Sequence, residues 1–306
     1  MDLASVTELF ASSLRVATPL ILMALGSCLC QKTGVFNIAF EGIALIGAFA
    51  AVAFVIVFNG NPWMGFLGAI CAGVLIAGIY ALFVVRFKAD YVIASIAVNM
   101  LGLGLTSYFL RTMFHVQGKV VANNINKLPM LNIPVLKDIP ILGCLSGQSI
   151  ITYFSLVLVG ILYLVLFKTK TGLNICSVGE SESSAVTAGI NPALVRLRAI
   201  LASGALSGLG GAYLSIVIVS QFSENMLQGR GFNAFTAMVF GNAHPVASML
   251  VCLLFGIADA LGIRIELAGF NIPSAIISMF PFLLAMAALA ISSYTTKLRL
   301  RGNSES

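Results

Sequence analysis

The sequence predicts an all-α protein, a polytopic membrane helical bundle of about eight to ten transmembrane segments with at least one broken helix. Three observations carry this. Hydrophobic residues make up 59% of the chain and charged residues 9%, where a soluble domain carries about a quarter charged. Such a surface would be too apolar to stay dissolved, and a mean hydropathy of +1.02 fits lipid as the solvent. Apolar runs near the length of a bilayer crossing recur along the chain, joined by short polar links. Lys and Arg gather in those links, as they do where charge sets the orientation of membrane helices. The net charge of +6 is therefore read as topology and not as a nucleic-acid surface. All 306 residues are taken as one transmembrane unit, with no room for a separate soluble catalytic domain.

The first run covers Leu9 to Cys30 and contains Arg15 and Pro19. The second, Val35 to Phe58, ends at the turn Asn59-Gly60-Asn61-Pro62; the third spans Trp63 to Val85; the fourth, after the link Arg86 to Asp90, runs from Tyr91 to Leu110. Residues Arg111 to Ser149, with Pro129, Pro134 and Pro140, form the longest polar stretch and read as an external loop. A fifth helix is expected over Ile150 to Phe167, then a polar segment to Arg198, then a sixth helix over Ala199 to Val219. That helix carries Gly204 and Gly208 at the spacing that lets helix backbones approach closely in lipid. Gly231 to Phe240 is too short to cross, and Gly241-Asn242-Ala243-His244-Pro245 interrupts it before the runs Val246 to Gly262 and Ile272 to Tyr294.

The clusters Arg86/Lys88, Lys168/Lys170/Arg196/Arg198 and Lys297/Arg299/Arg301 are assigned to the cytoplasm, which puts the C-terminus there. An even number of crossings must then separate Arg198 from Lys297, yet only three full-length runs do. The short run before Gly241 must complete a broken crossing or dip into the bilayer and return. Backbone breaks at membrane depth survive only when buried in protein or lining a polar path.

Several polar residues sit where lipid makes them costly. Asn37 and Glu41 lie four apart, so on a helix they would share one face; they suit either a solute-path element or a capping and packing motif. Asn99, mid-run, suits either a solute contact or a bond fastening two helices. Asp259 is expected to pair with Arg264 at an interface, and His244 to be a structural hydrogen bonder at the break. The six cysteines, Cys28, Cys30, Cys71, Cys144, Cys176 and Cys252, show no metal-ligand spacing, so neither metal nor cofactor is expected. Residues Ser177 to Pro192 read as one short polar helix, capped by Ser181 or Ser183 and ended by Gly189 and Asn191-Pro192. It suits a docking element for a soluble partner or an ordinary connector.

Four stretches together resemble the permease subunits of ABC transporters for purine nucleosides. These are Gly34 to Gly42 (GVFNIAFEG) with Ile46-Gly47-Ala48, Ala97 to Leu101 (AVNML), Ser177 to Ile190 (SVGESESSAVTAGI), and Gly229 to Gly241 (GRGFNAFTAMVFG) followed by Pro245. The wider group also imports ribose-type sugars and branched-chain amino acids. Ala39-Phe40 and Ser181-Glu182-Ser183 depart from its usual residues.

The resemblance implies an ABC ATPase subunit as partner, since the chain lacks a Walker A pattern. It also implies a second homologous permease as heterodimer partner, an extracytoplasmic solute-binding lipoprotein, and a multi-pass location in a bacterial cytoplasmic membrane. It places ATPase coupling on segment 171–198, through Gly179, Glu180, Ala185, Ala188 and Gly189. The path-lining candidates are Asn37, Glu41, Asn99 and Asn242, with Phe36 and Phe40 as stacking candidates. Competing readings are a permease for a simple sugar, an ion-coupled secondary transporter using Glu41, and an intramembrane enzyme. The last would want a Ser/His pair or a metal motif, and only His115 and His244 are available.

Overall fold

The computed structural model describes residues 3–122, 128–131, 146–267 and 279. The run expected over 272–294, the tail cluster at 297–301, Cys144 and much of the 111–149 link lie outside the described residues. Helix α1 is Leu3–Lys32, α2 Phe40–Val57, α3 Pro62–Ala81 continued by a π-turn Leu82–Arg86, and α4 Tyr91–Phe114. Strand β1, Lys119–Val121, and β2, Met130–Leu131, follow, then β3, Gln148–Ser149. Helix α5 is Ile150–Lys168, α6 Lys170–Glu180, α7 Glu182–Thr187 and α8 Pro192–Ala212, continued by a π-segment Tyr213–Ile218. Strand β4 is Gln221–Ser223, α9 Arg230–Phe240 and α10 Pro245–Leu267. Seven helices among the described residues are long and apolar enough to cross a membrane.

Local signals set the helix ends. Asn61, Asp90 and Asn191 each accept backbone N–H bonds at the start of α3, α4 and α8, with proline next in line at Pro62 and Pro192. Helix α1 stops at Gly34, whose φ of +77° suits a glycine. There Gly34 N donates to Gln31 O and Val35 N to Cys30 O, closing the last turn.

Helix α8 is the axis of the bundle. Its small face lies against α3, where a Cβ on Gly204 would fall 2.6 Å from Gly73 O, and against α2, where a Cβ on Gly47 would fall 2.6 Å from Gly208 Cα. Gly211 approaches Ala44 O closely. The Gly204/Gly208 spacing thus brings backbones together on two sides. Helices α1 and α10 run antiparallel: Cys28 Sγ sits 3.4 Å from Ser248 Oγ, Gly256 packs on Ser13 and Ala17, and Arg264 lies 3.9 Å from Glu8. Burial separates centre from rim, with 89% of the α1 span enclosed against 33% of α4 and α5. The exposed faces of α4 and α5, including Ile93, Met100, Val157 and Leu164, are apolar, as lipid or a membrane partner requires.

The basic links meet at one end. Arg196 bonds Thr33 O at 3.4 Å and pairs with Glu182 at 3.0 Å. A cavity of about 530 Å³ there is lined by Lys88, Asp90, Glu182, Asn191 and Arg196 among others. At the other end β1 pairs antiparallel with β4, Val120 facing Phe222.

Candidate functional site

Two non-helical stretches of backbone, one between α1 and α2 and one reaching in from the far end of the bundle, come together at Glu41. The first is residues 33–39, between α1 and α2. Its amides and carbonyls find side-chain partners, as membrane depth demands. Ser95 Oγ accepts from Ile38 N at 3.0 Å, Asn99 Nδ2 donates to Ile38 O at 3.1 Å, and Tyr80 Oη donates to Phe36 O at 3.4 Å. Asn99 Oδ1 also accepts from Gly42 N at 2.8 Å. Asn99 stands about 12 Å along α4 from its start. Gly42 and Gly102 make this possible: a Cβ on either would lie 2.7 Å or less from the facing backbone.

The second stretch is residues 219–229, between the π-segment and α9. Helix α9 has 11 residues and spans about 16 Å, half a crossing. Its N-terminus faces Glu41, whose Oε1 accepts from Gly229 N at 2.8 Å and Oε2 from Gly231 N at 2.7 Å. Gly229 holds φ at +87°, and a Cβ on Gly231 would fall 2.7 Å from Glu41 Oε2. Arg230 lies within electrostatic reach of both Glu41 and Asp259 of α10. Helix α9 then runs to the basic end, where His244 stacks on Phe167 at 5.2 Å and accepts from Ala247 N at 3.4 Å, capping α10.

The structure contains a break in this third of the chain, with a correction to its place. The backbone is unwound on the N-terminal side of α9, while 241–244 is a tight turn between α9 and α10. Asn242 is the left-handed stop residue of α9, with φ +51°: its N–H donates to Val239 O, and Ala243 N donates to Met238 O. It is exposed and lies the length of α9 from the cluster at Glu41. Asn37 and Glu41 do not share a helix face either. Asn37 precedes α2, buried, its Oδ1 accepting from Ala39 N at 2.8 Å in a side-chain turn that delays the helix to Phe40. Phe36 is partly exposed and packs edge-on to Phe235 at 5.1 Å, whereas Phe40 is fully enclosed. Asp259 senses Arg230, and Arg264 reaches Glu8. His244 is a structural hydrogen bonder, as expected.

Segment 171–198 is also more divided than expected. Residues 177–190 belong to two helices, split at Ser181, whose Oγ caps α7 by accepting from Ser184 N at 3.3 Å. Glycine at 179 lets α6 press on α1, since a Cβ there would meet Lys32 O. Glu180 is exposed, Ala185 is buried beneath α7, and Ala188 and Gly189 form its exposed end. Gly189, at φ +79°, donates to Val186 O while Ile190 N donates to Ala185 O.

Ser95, Tyr80, Arg230 and the amides of Gly229 and Gly231 escaped the sequence reading. The lone carboxylate and the two glycines flanking Arg230 were visible, but their pairing joins segments nearly 190 positions apart. Among the described residues no group of three or more His, Cys, Asp or Glu side chains gathers as a metal site would.

Residues 9–290 match the family described as branched-chain amino acid transport system / permease component. Among curated relatives, the guanosine ABC transporter permease protein NupQ of Bacillus subtilis (strain 168) is 35% identical, over 94% of this chain and 93% of its own. The nucleoside ABC transporter permease protein NupC of Lactococcus lactis subsp. cremoris (strain MG1363) is 33% identical, over 92% and 90%. The putative glucose ABC transporter permease protein TsgC13 of Haloferax volcanii is 29% identical, over 94% and 92%.

Proposed function

The chain belongs to the branched-chain amino acid transport system permease-component family, and we propose that it serves as the membrane subunit of an ATP-driven importer of nucleosides. The observation that carries the solute class is similarity along nearly the whole chain to two permeases named for guanosine and nucleosides, at 35% and 33% identity. A simple sugar is the second reading, favoured by the 29% match to a glucose-named permease.

The proposed mechanism uses this chain's own parts. A separate ATPase docks on the basic end, which the positive-inside rule assigns to the cytoplasm together with the C-terminus. Its closure pushes on α6 and α7 through Glu180, Ala188 and Gly189. Gly179 passes the displacement to the end of α1, which leads directly into the unwound segment 33–39. That segment and α9 share Glu41, so a shift at one alters the other and opens the path alternately to each side. A second, related permease completes the path, and an external binding lipoprotein delivers solute. Asn99 and Phe36 remain the path candidates; Phe36 offers a face on which a base could stack.

The test is isolation of the complex from its own cells, followed by uptake of radiolabelled adenosine, ribose, glucose and leucine. Co-purification of an ATP-binding chain and a second permease is expected, with adenosine uptake lost on deletion. Uptake of glucose alone would replace the nucleoside reading by the sugar reading.

A further inference from the structure

The N-terminus of α9 lies inside the bundle with its first amides turned toward α2. Unpaired helix N-termini carry positive partial charge and attract anions. In transporters built from half-helices such ends can receive an anionic group of the solute. Here the seat is already filled from within, because both oxygens of Glu41 accept amide protons, at 2.8 and 2.7 Å. Glu41 is buried, and Gly231 presses so close to it that a Cβ would collide. The bonds also tie the first turn of α2 to the half-crossing α9, and Asn99 ties the next residue, Gly42, to α4.

We propose that Glu41 is a built-in anion that positions α9 and so reserves the path for solutes without a carboxylate of their own. This rests on the solute-path reading above. Glu41 acts through α9 as a positioning residue and is not assigned a contact with solute.

Chemical rescue tests the proposal. Glu41→Ala removes the atoms beyond Cβ, which are the heavy atoms of an acetate ion. In membrane vesicles from the source cells, with the partner subunits present, Glu41→Ala is expected to lower adenosine uptake about tenfold to a hundredfold, the range for losing charge-assisted bonds to buried amides. Millimolar acetate should restore much of it, formate less, and benzoate or sodium chloride at equal ionic strength none. The purified Glu41→Ala complex should gain thermal stability with acetate, while the wild type should not. The stability measurement needs no transport, so it still reads if the nucleoside assignment fails. Absence of an acetate-specific gain would overturn the positioning role, as would a gain with no recovery of uptake where the wild type takes up adenosine. If Glu41→Ala does not assemble, Glu41→Gln serves with amide hydrogen exchange at Gly229 and Gly231. Exchange faster than wild type supports the proposal, and unchanged exchange refutes it.

Discussion

The α2–α3–α8 seam and the α9 break are both rich in glycine, but glycine does opposite work in them. In the seam, Gly47, Gly73, Gly204, Gly208 and Gly211 bring backbone against backbone on two sides of one helix. At these glycines no rotatable side chain stands between the helices, which stiffens the seam. At the break, Gly229 and Gly231 expose amides that side chains then satisfy: Glu41 for α9, Asn99 and Ser95 for residues 33–39. Each of those bonds can be exchanged singly. The difference separates a rigid frame from a region with alternative arrangements, which is what a conformational switch requires. Segment 171–198 presses on the junction between them, at Lys32 and Thr33.

Seam substitutions give the largest effect. Gly211→Val would drive a branched side chain into Ala44 O, backbone that no rotamer change can displace. Overpacking in a core costs about 1–3 kcal/mol even where side chains can yield, and here they cannot. The expected outcome is no monodisperse complex on size-exclusion chromatography, with uptake lost in parallel. A well-folded Gly211→Val complex would show that the seam is looser than its geometry.

Much of this frame was legible in the sequence, because its cause is local. Apolar run lengths placed α1 to α5, α8 and α10, and Gly204-x-x-x-Gly208 marked the close approach. Asn61-Pro62 marked the turn before α3, whereas Asn191-Pro192, read as a helix end, opens α8 seven residues before the expected start at Ala199. The apolar run 231–240 was too short for a full crossing, and it forms the short helix α9. What the sequence concealed was partner choice. Asn37 and Glu41 looked like one helical face, yet the helix begins only at Phe40, after Gly34 ends α1 and Asn37 makes its own turn. Glu41 reads as a costly lone carboxylate until Gly229 and Gly231 are brought to it by packing that no local pattern encodes. Asn242 sits in a conspicuous polar cluster, and only the backbone shows that it is a helix stop.

An intermediate effect is expected at the break. Asn99→Ala removes the acceptor for Gly42 N and the donor to Ile38 O. Interhelical polar bonds in membranes are worth about 0.6–2 kcal/mol each, so the pair amounts to about 1–4 kcal/mol. The complex should still assemble, with a melting temperature a few degrees lower and uptake about tenfold down. Asn99→Asp keeps an acceptor but, when ionised, sets a carboxylate oxygen against Ile38 O, and should be at least as damaging as Asn99→Ala. Equal loss of assembly in Asn99→Ala and Gly211→Val would erase the distinction between frame and break.

The smallest effect sharpens the comparison from the other side. Asn242 is a path candidate on sequence alone, yet its main chain holds φ +51° and its N–H closes the last turn of α9. Glycine adopts that conformation at least as readily, and needs no side chain to do so. Asn242→Gly should therefore leave adenosine uptake within about twofold of wild type, since exchanging one left-handed stop residue for the other shifts stability by only tenths of a kcal/mol. Asn242→Val, which resists positive φ, should lower the melting temperature without changing the solute concentration that half-saturates uptake. A rise in that concentration in the glycine variant, with stability intact, would place the Asn242 side chain on the path and extend the switch region to the basic end of α9.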